Sequence, residues 1–183
     1  MGKVFNTTAV CIPEKHYMVD ITERLNQIKA LVDEGKYFTI NRARQYGKTT
    51  TLLALKKMLE KEYDVIMMDF QTFGSADFAT ENIFALSFAN TFLRQFKKYV
   101  SGMEIPLKQA VEMLEKSVNG RAGYFTLKPL FEELGDICEA SEKPIVLMID
   151  EVDSASNNQV FLDFLGQLRA QYINPVSYTH LRA

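Results

Sequence analysis

Tyr37-Phe38-Thr39-Ile40-Asn41-Arg42-Ala43-Arg44-Gln45-Tyr46-Gly47-Lys48-Thr49-Thr50-Thr51 is the stretch whose reading decides the fold. It predicts a β-strand, a tight loop ending in Gly-Lys-Thr, and then a helix. That layout suits a phosphate-binding loop. Backbone N–H groups at a helix N-terminus, with the positive end of the helix dipole, supply the donors a polyphosphate needs. Gly47 lets the backbone approach without a Cβ. Lys48 would place an ammonium on the β- and γ-phosphates, and the Thr49 hydroxyl would ligate Mg²⁺. Thr50 or Thr51, in the first helical turn, could reach the α-phosphate. The nucleotide-contacting set is therefore Arg42, Ala43, Arg44, Gln45, Tyr46, Gly47, Lys48, Thr49 and Thr50.

The loop departs from the usual G-x-x-x-x-G-K pattern, because Arg42 stands at the first glycine's position and Arg44 adds a second cation. Both can pair with phosphate or with acidic neighbours. Gly-Lys-Thr alone is a weak signal, compatible with a short basic turn before an ordinary helix. A second segment strengthens it. Ile145-Val146-Leu147-Met148-Ile149-Asp150-Glu151 is a continuous apolar run ending in two carboxylates. Its length and β-branching predict a parallel strand buried on both faces. Ligands in open α/β sheets sit at such C-terminal strand ends. Asp150 is the candidate Mg²⁺ holder and Glu151 the candidate general base for the attacking water, with Lys48 assisting catalysis. Asp153 is an additional carboxylate nearby.

With both motifs in view, the chain resembles the bacterial AAA-like ATPases, P-loop proteins of the class with an additional catalytic glutamate. The resemblance rests on Asn41 to Thr49, including the basic residue at the first glycine's position, and on Val146 to Asp153 with the Ser154-Ala155-Ser156-Asn157-Asn158 segment after it. It covers most of Cys11 to Ile173. It implies an α/β fold: a P-loop NTPase three-layer sandwich with a mainly parallel sheet, incomplete at the C-terminus here. It also implies ATP and Mg²⁺ as ligands, and nucleotide-driven conformational change. In the resembling proteins the next strand carries a polar sensor and lies between the P-loop strand and the acidic strand. Many relatives continue into a nuclease-like C-terminal domain. No D-x-n-E-x-K constellation follows here, so a missing effector domain or an oligomer is the expected partner beyond ATP.

Composition narrows the alternatives. The chain has 183 residues, 47% of them hydrophobic, with 21 basic and 23 acidic side chains for a net charge of −2. That is enough chain for one domain with a core. It offers no bulk attraction to nucleic acid. The two cysteines, Cys11 and Cys138, are far apart and suggest no disulfide framework. Cys11 and His16 have no neighbours to complete a zinc site. No apolar run has membrane-spanning length and no signal peptide is legible, so a cytoplasmic location is the default. No G-x-S-x-G elbow supports a serine hydrolase. A slow nucleotide-gated switch and a small-molecule P-loop kinase remain as alternatives to an ATPase. The adjacent Asp150-Glu151 pair fits water activation better than phosphoryl transfer to an acceptor.

Residues 1–20 read as a lead-in, 21–174 as the partial ATPase domain, and 175–183 as a non-native tail. Val176 to Ala183 resembles translated sequencing-adapter read-through, which removes His180 and Arg182 from the site. Asp20 predicts a helix cap with Glu23 reciprocal, followed by an Ile21, Leu25, Ile28, Leu31, Val32 stripe and a stop at Gly35. Further helices are expected from about Thr49 to Glu60, from Ala79 to Tyr99, around Leu107–Leu114 (short), around Leu127–Cys138 and around Val160–Leu168. Asp64 to Phe70 predicts a second core strand. Phe84, Phe88, Phe92 and Phe96 recur every four residues. Such a stripe reads as core before it reads as a base-stacking platform. Asn119 to Gly123 is expected as a loop, with Arg121 solvated. Pro13, His16 and Tyr17 are expected to pack.

Overall fold

The computed structural model describes residues 20–40, 47–99, 102–120, 123–173 and 181–182. Helix α1 (Thr22–Asp33) opens it. The Asp20 carboxylate accepts from the Thr22 amide at 2.9 Å. Ile21 nevertheless occupies the cap position, without a side-chain bond. The helix stops as expected at Gly35, which takes φ +68°. There the Gly35 and Lys36 amides donate back to the Val32 and Leu31 carbonyls. Ile28 and Val32 are buried, but Leu31, expected on the apolar stripe, is exposed.

Next come α2 (Lys48–Leu59), β1 (Asp64–Asp69), two short 3-10 turns (Phe70–Thr72 and Ser75–Phe78) and α3 (Glu81–Tyr99). They are followed by α4 (Ile105–Gly120), α5 (Leu127–Ala140), β2 (Ile145–Asp150), a 3-10 turn (Val152–Ser154), α6 (Gln159–Ile173) and β3 (Leu181–Arg182). Helix α4 is longer than its three leucine and valine markers suggest. Its last turn takes in Asn119 and Gly120, expected as loop and both exposed. Arg121 lies outside the described residues.

Strands β1 and β2 pair in parallel, in register from Asp64 with Ile145 to Asp69 with Asp150. Helices cover both faces. Alternate residues Ile66, Met68, Ile145 and Leu147 join the core formed with α3 to α6. The intervening Val65, Val146 and Met148 join a smaller core with α1 and α2. Continuous apolar character in β2 thus follows from burial on both sides, and Ile145 to Met148 are all buried. The chain is α/β, mostly helical, around a short parallel sheet.

Phe84, Phe88, Phe92 and Phe96 are at most 1% exposed, so the aromatic stripe is core. Polar bonds then fix the elements that carry the acidic strand. Glu81 accepts from the Leu127 amide at the start of α5, at 2.9 Å. The Asn82 amide donates to the Phe125 carbonyl, also at 2.9 Å. Ser141 donates to Asp64 across the strand starts.

One expected strand is absent. Residues 37–40 carry no strand assignment. Tyr37 packs on the larger core, and Phe38 and Ile40 on the smaller one. Among the described residues the second edge of β2 pairs with β3, at Ile145 and Val146. Residues 37–40 and β2 instead line a common cavity of about 340 Å³. Leu181 and Arg182, expected to be foreign, provide the two paired residues of β3. The remaining tail residues, the lead-in and its Pro13, His16 and Tyr17 lie outside the described residues.

Candidate functional site

Gly47 stands at the N-terminus of α2 in the left-handed conformation, φ 70° and ψ 29°. Both the amide and the hydroxyl of Thr51 donate to the Gly47 carbonyl, at 2.8 and 2.9 Å. Thr51 is 2% exposed. Its hydroxyl is committed to the backbone, which leaves Thr50, half-buried in the same turn, as the outward-facing candidate of the two. The first turn of α2 contains Lys48 and no acidic residue. A cation at a helix N-terminus opposes the dipole. It makes local sense where an anion is to be held.

The opposing wall is the end of β2. Asp150 is 5% exposed. Its Oδ1 lies 3.2 Å from the Lys48 ammonium. The same oxygen accepts from the Glu151 amide at 2.9 Å. Its Oδ2 accepts from the Thr49 hydroxyl at 3.0 Å. The Lys48 ammonium is also 3.8 Å from Glu151 Oε1. Burial alone would lower the Lys48 pKa. The bond to Asp150 and the charges of Asp150, Glu151 and Asp153 outweigh it and hold the ammonium above its ordinary value.

Glu151 takes φ 57° and ψ 34°, the left-handed region. It is the one non-glycine residue with positive φ among the described residues. Such a conformation costs on the order of 1 kcal/mol and clusters at functional sites. It turns the chain sharply from β2 into the Val152–Ser154 turn and re-aims the carboxylate toward Lys48.

Lys48, Thr49, Asp150 and Glu151, far apart in sequence, therefore converge in space. Arg42, Ala43, Arg44, Gln45 and Tyr46 lie outside the described residues. The donor set fits Mg²⁺, a hard cation that takes oxygen ligands. The Thr49 and Asp150 oxygens are 3.0 Å apart.

A family model described as an AAA-like domain matches residues 8–178. The chain belongs to the AAA-like domain family. The match takes in both the Gly-Lys-Thr segment and the acidic strand of this AAA-like chain. No curated protein and no solved structure matches it.

Two neighbours of the AAA-like site were not singled out from sequence. Asp69 ends β1 directly beside Asp150 in the strand register. Both strands end an apolar run with Asp, and that shared ending was the available signal. A cavity lined by Phe38, Ile40, Leu52, Met148 and Leu165 also takes in Lys48 and Asp150. It arises from tertiary packing and has no sequence signature. No helix among the described residues is long and apolar enough to cross a membrane.

Proposed function

We propose that this AAA-like domain binds ATP with Mg²⁺ and hydrolyses it, coupling nucleotide state to a change of conformation. The carrying observation is the meeting of Lys48 and Thr49 with Asp150 across the sheet end, at 3.2 and 3.0 Å. A cation and a hydroxyl on a helix N-terminus face a buried carboxylate on a neighbouring strand. That is the constellation metal-assisted phosphate binding needs.

The α2 N-terminus and Lys48 hold the phosphates, with Arg42 to Gly47 as the surrounding loop. Thr49 and Asp150 hold the metal, directly or through water. Bound Mg²⁺ supplies charge neutralisation on the β- and γ-phosphate oxygens. Glu151 orients the attacking water and takes its proton, while Lys48 balances charge on the phosphate. To act as a base, Glu151 must leave the Lys48 ammonium, and this movement is the natural link between nucleotide and conformation. The P-loop three-layer sandwich, an effector domain, an oligomer and a cytoplasmic setting belong to the same reading.

The strained Glu151, held 3.8 Å from Lys48, also favours a second reading, a slow nucleotide-gated switch. Glu151→Gln separates the two. Phosphate release should fall by about a hundredfold or more with ATP binding kept, in line with the usual weight of a general base. Unchanged turnover would remove Glu151 from the mechanism and favour the switch.

A further inference from the structure

Strand β1 ends with a carboxylate that takes no part in the contacts of Lys48, Thr49 and Asp150. Asp69 is in register with Asp150 on β2. Side chains two residues apart on a strand share a face, and so do register partners on paired strands. Val65 and Met67, like Val146 and Met148, face the smaller core under α1 and α2. Asp69 and Asp150 continue those two rows by one step. Their side chains therefore stand side by side on the α2 face, on strands about 4.8 Å apart.

The backbone under Asp69 is fixed. Its Oδ1 accepts from the Gln71 amide, and the Thr72 hydroxyl donates to its carbonyl, both at 2.8 Å. Phe70, the next residue, is fully buried, with its ring centroid 5.3 Å from that of Phe161 on α6. The Asp69 side chain itself is exposed. Among the described residues its Oδ2 is unbonded. Capping a turn asks only for an oxygen, which asparagine or serine supplies as well. A second carboxylate beside Asp150 also works against the sheet, because like charges on neighbouring strands repel. The negative charge of Asp69 thus serves something other than the cap.

The Thr49 and Asp150 oxygens are the donor set read above as holding Mg²⁺. Magnesium sheds its waters reluctantly and keeps several when bound to protein. Carboxylates one layer out commonly accept from such groups and fix their orientation.

We propose that Asp69 is a positioning residue for the metal: it does not ligate, and its Oδ2 accepts a hydrogen bond from a metal-bound water beside Asp150. This rests on the ATP and Mg²⁺ reading above and adds a residue to it. Arg42 and Arg44, which lie outside the described residues, are the rival partners for the same carboxylate, and the experiment separates them.

Asp69→Asn keeps an oxygen for the Gln71 cap and removes the charge, whereas Asp69→Ala removes both. Mn²⁺ serves as the probe, its affinity for the whole chain saturated with a non-hydrolysable ATP analogue being read by electron paramagnetic resonance. Calorimetry gives the affinity for the analogue in chelator, and urea midpoints report the fold. Both variants should hold Mn²⁺ about tenfold or more weakly than the parent, the usual weight of an outer-layer partner. Analogue affinity in chelator should be unchanged or stronger. Only Asp69→Ala should lower the urea midpoint, through loss of the cap.

Parent-like Mn²⁺ affinity in Asp69→Asn would reduce Asp69 to a cap and overturn the proposal. An equal fall in analogue affinity with and without metal would overturn it in favour of pairing with a loop arginine. A parent that holds neither the analogue nor Mn²⁺ would refute the ATP reading itself, and the role of Asp69 with it.

Discussion

Gly47→Ala should separate folding from binding. Gly47 has φ 70°, and a Cβ built there meets nothing within 4 Å among the described residues. The cost to the free fold is therefore backbone strain and not a clash. A left-handed L-residue costs roughly 1–2 kcal/mol. Alanine also restricts the unfolded chain, which offsets about 0.4–1 kcal/mol. The net loss should be about 0.5–1.5 kcal/mol, against a total stability on the order of 10 kcal/mol for a domain of this size. The two Thr51 bonds to the Gly47 carbonyl hold the turn in place, so it cannot swing away to relieve the strain. The new methyl then stands where a phosphate would approach the α2 N-terminus.

MgATP affinity should accordingly fall at least about tenfold, or 1.4 kcal/mol. Urea denaturation and calorimetry on the same preparations give the two numbers. A stability loss above about 3 kcal/mol would mean that the position is packed and the open-space argument fails. Unchanged affinity in a stable variant would mean that phosphate does not approach at Gly47.

Two further expectations concern the core. Phe164 is fully buried, with ring centroids of Phe88, Phe84 and Phe131 at 4.7, 5.3 and 5.5 Å. Phe164→Ala should cost about 3–5 kcal/mol by urea denaturation, and a loss below about 2 would show that α6 is not anchored there. Burial first, and the Glu139 charge second, push the Cys138 thiol from 9.0 to about 12. Cys138 should resist alkylation at pH 8 until denaturant is added. Because the unfolded thiol ionises first, its contribution to stability is complete below pH 9.0 and is lost as pH rises toward about 12. The slope should approach ~1.4 kcal/mol per pH unit, and a Cys138→Ala variant lacking that slope would identify its source.

The elements legible in the sequence were those whose apolar spacing alone determines burial. Leu52, Leu55 and Leu59 mark α2, the phenylalanines mark α3, and the unbroken run Ile145 to Ile149 marks β2, sheathed by helices on both faces. The pairing of Lys48 and Thr49 with the Asp150 end of the sheet was also legible, since helix N-termini and parallel strand ends are where such chemistry collects.

What stayed hidden depends on partners. Tyr37 to Ile40 has strand-like residues but faces a cavity where a neighbouring strand would be needed. Leu31 falls on the stripe by spacing, yet no element among the described residues covers it. The left-handed turn at Glu151 has no residue signature, because glutamate ordinarily avoids that region. Asp69 becomes a neighbour of Asp150 only through strand register.

The central claim is that Lys48 and the end of β2 form an ATP site, and calorimetry of MgATP binding to the parent and to Lys48→Ala tests it most directly. The account predicts one nucleotide per chain for the parent and a loss of about tenfold to a hundredfold in Lys48→Ala, the weight of a charge-assisted bond to phosphate. Equal binding by the two, with matching urea midpoints, would contradict it.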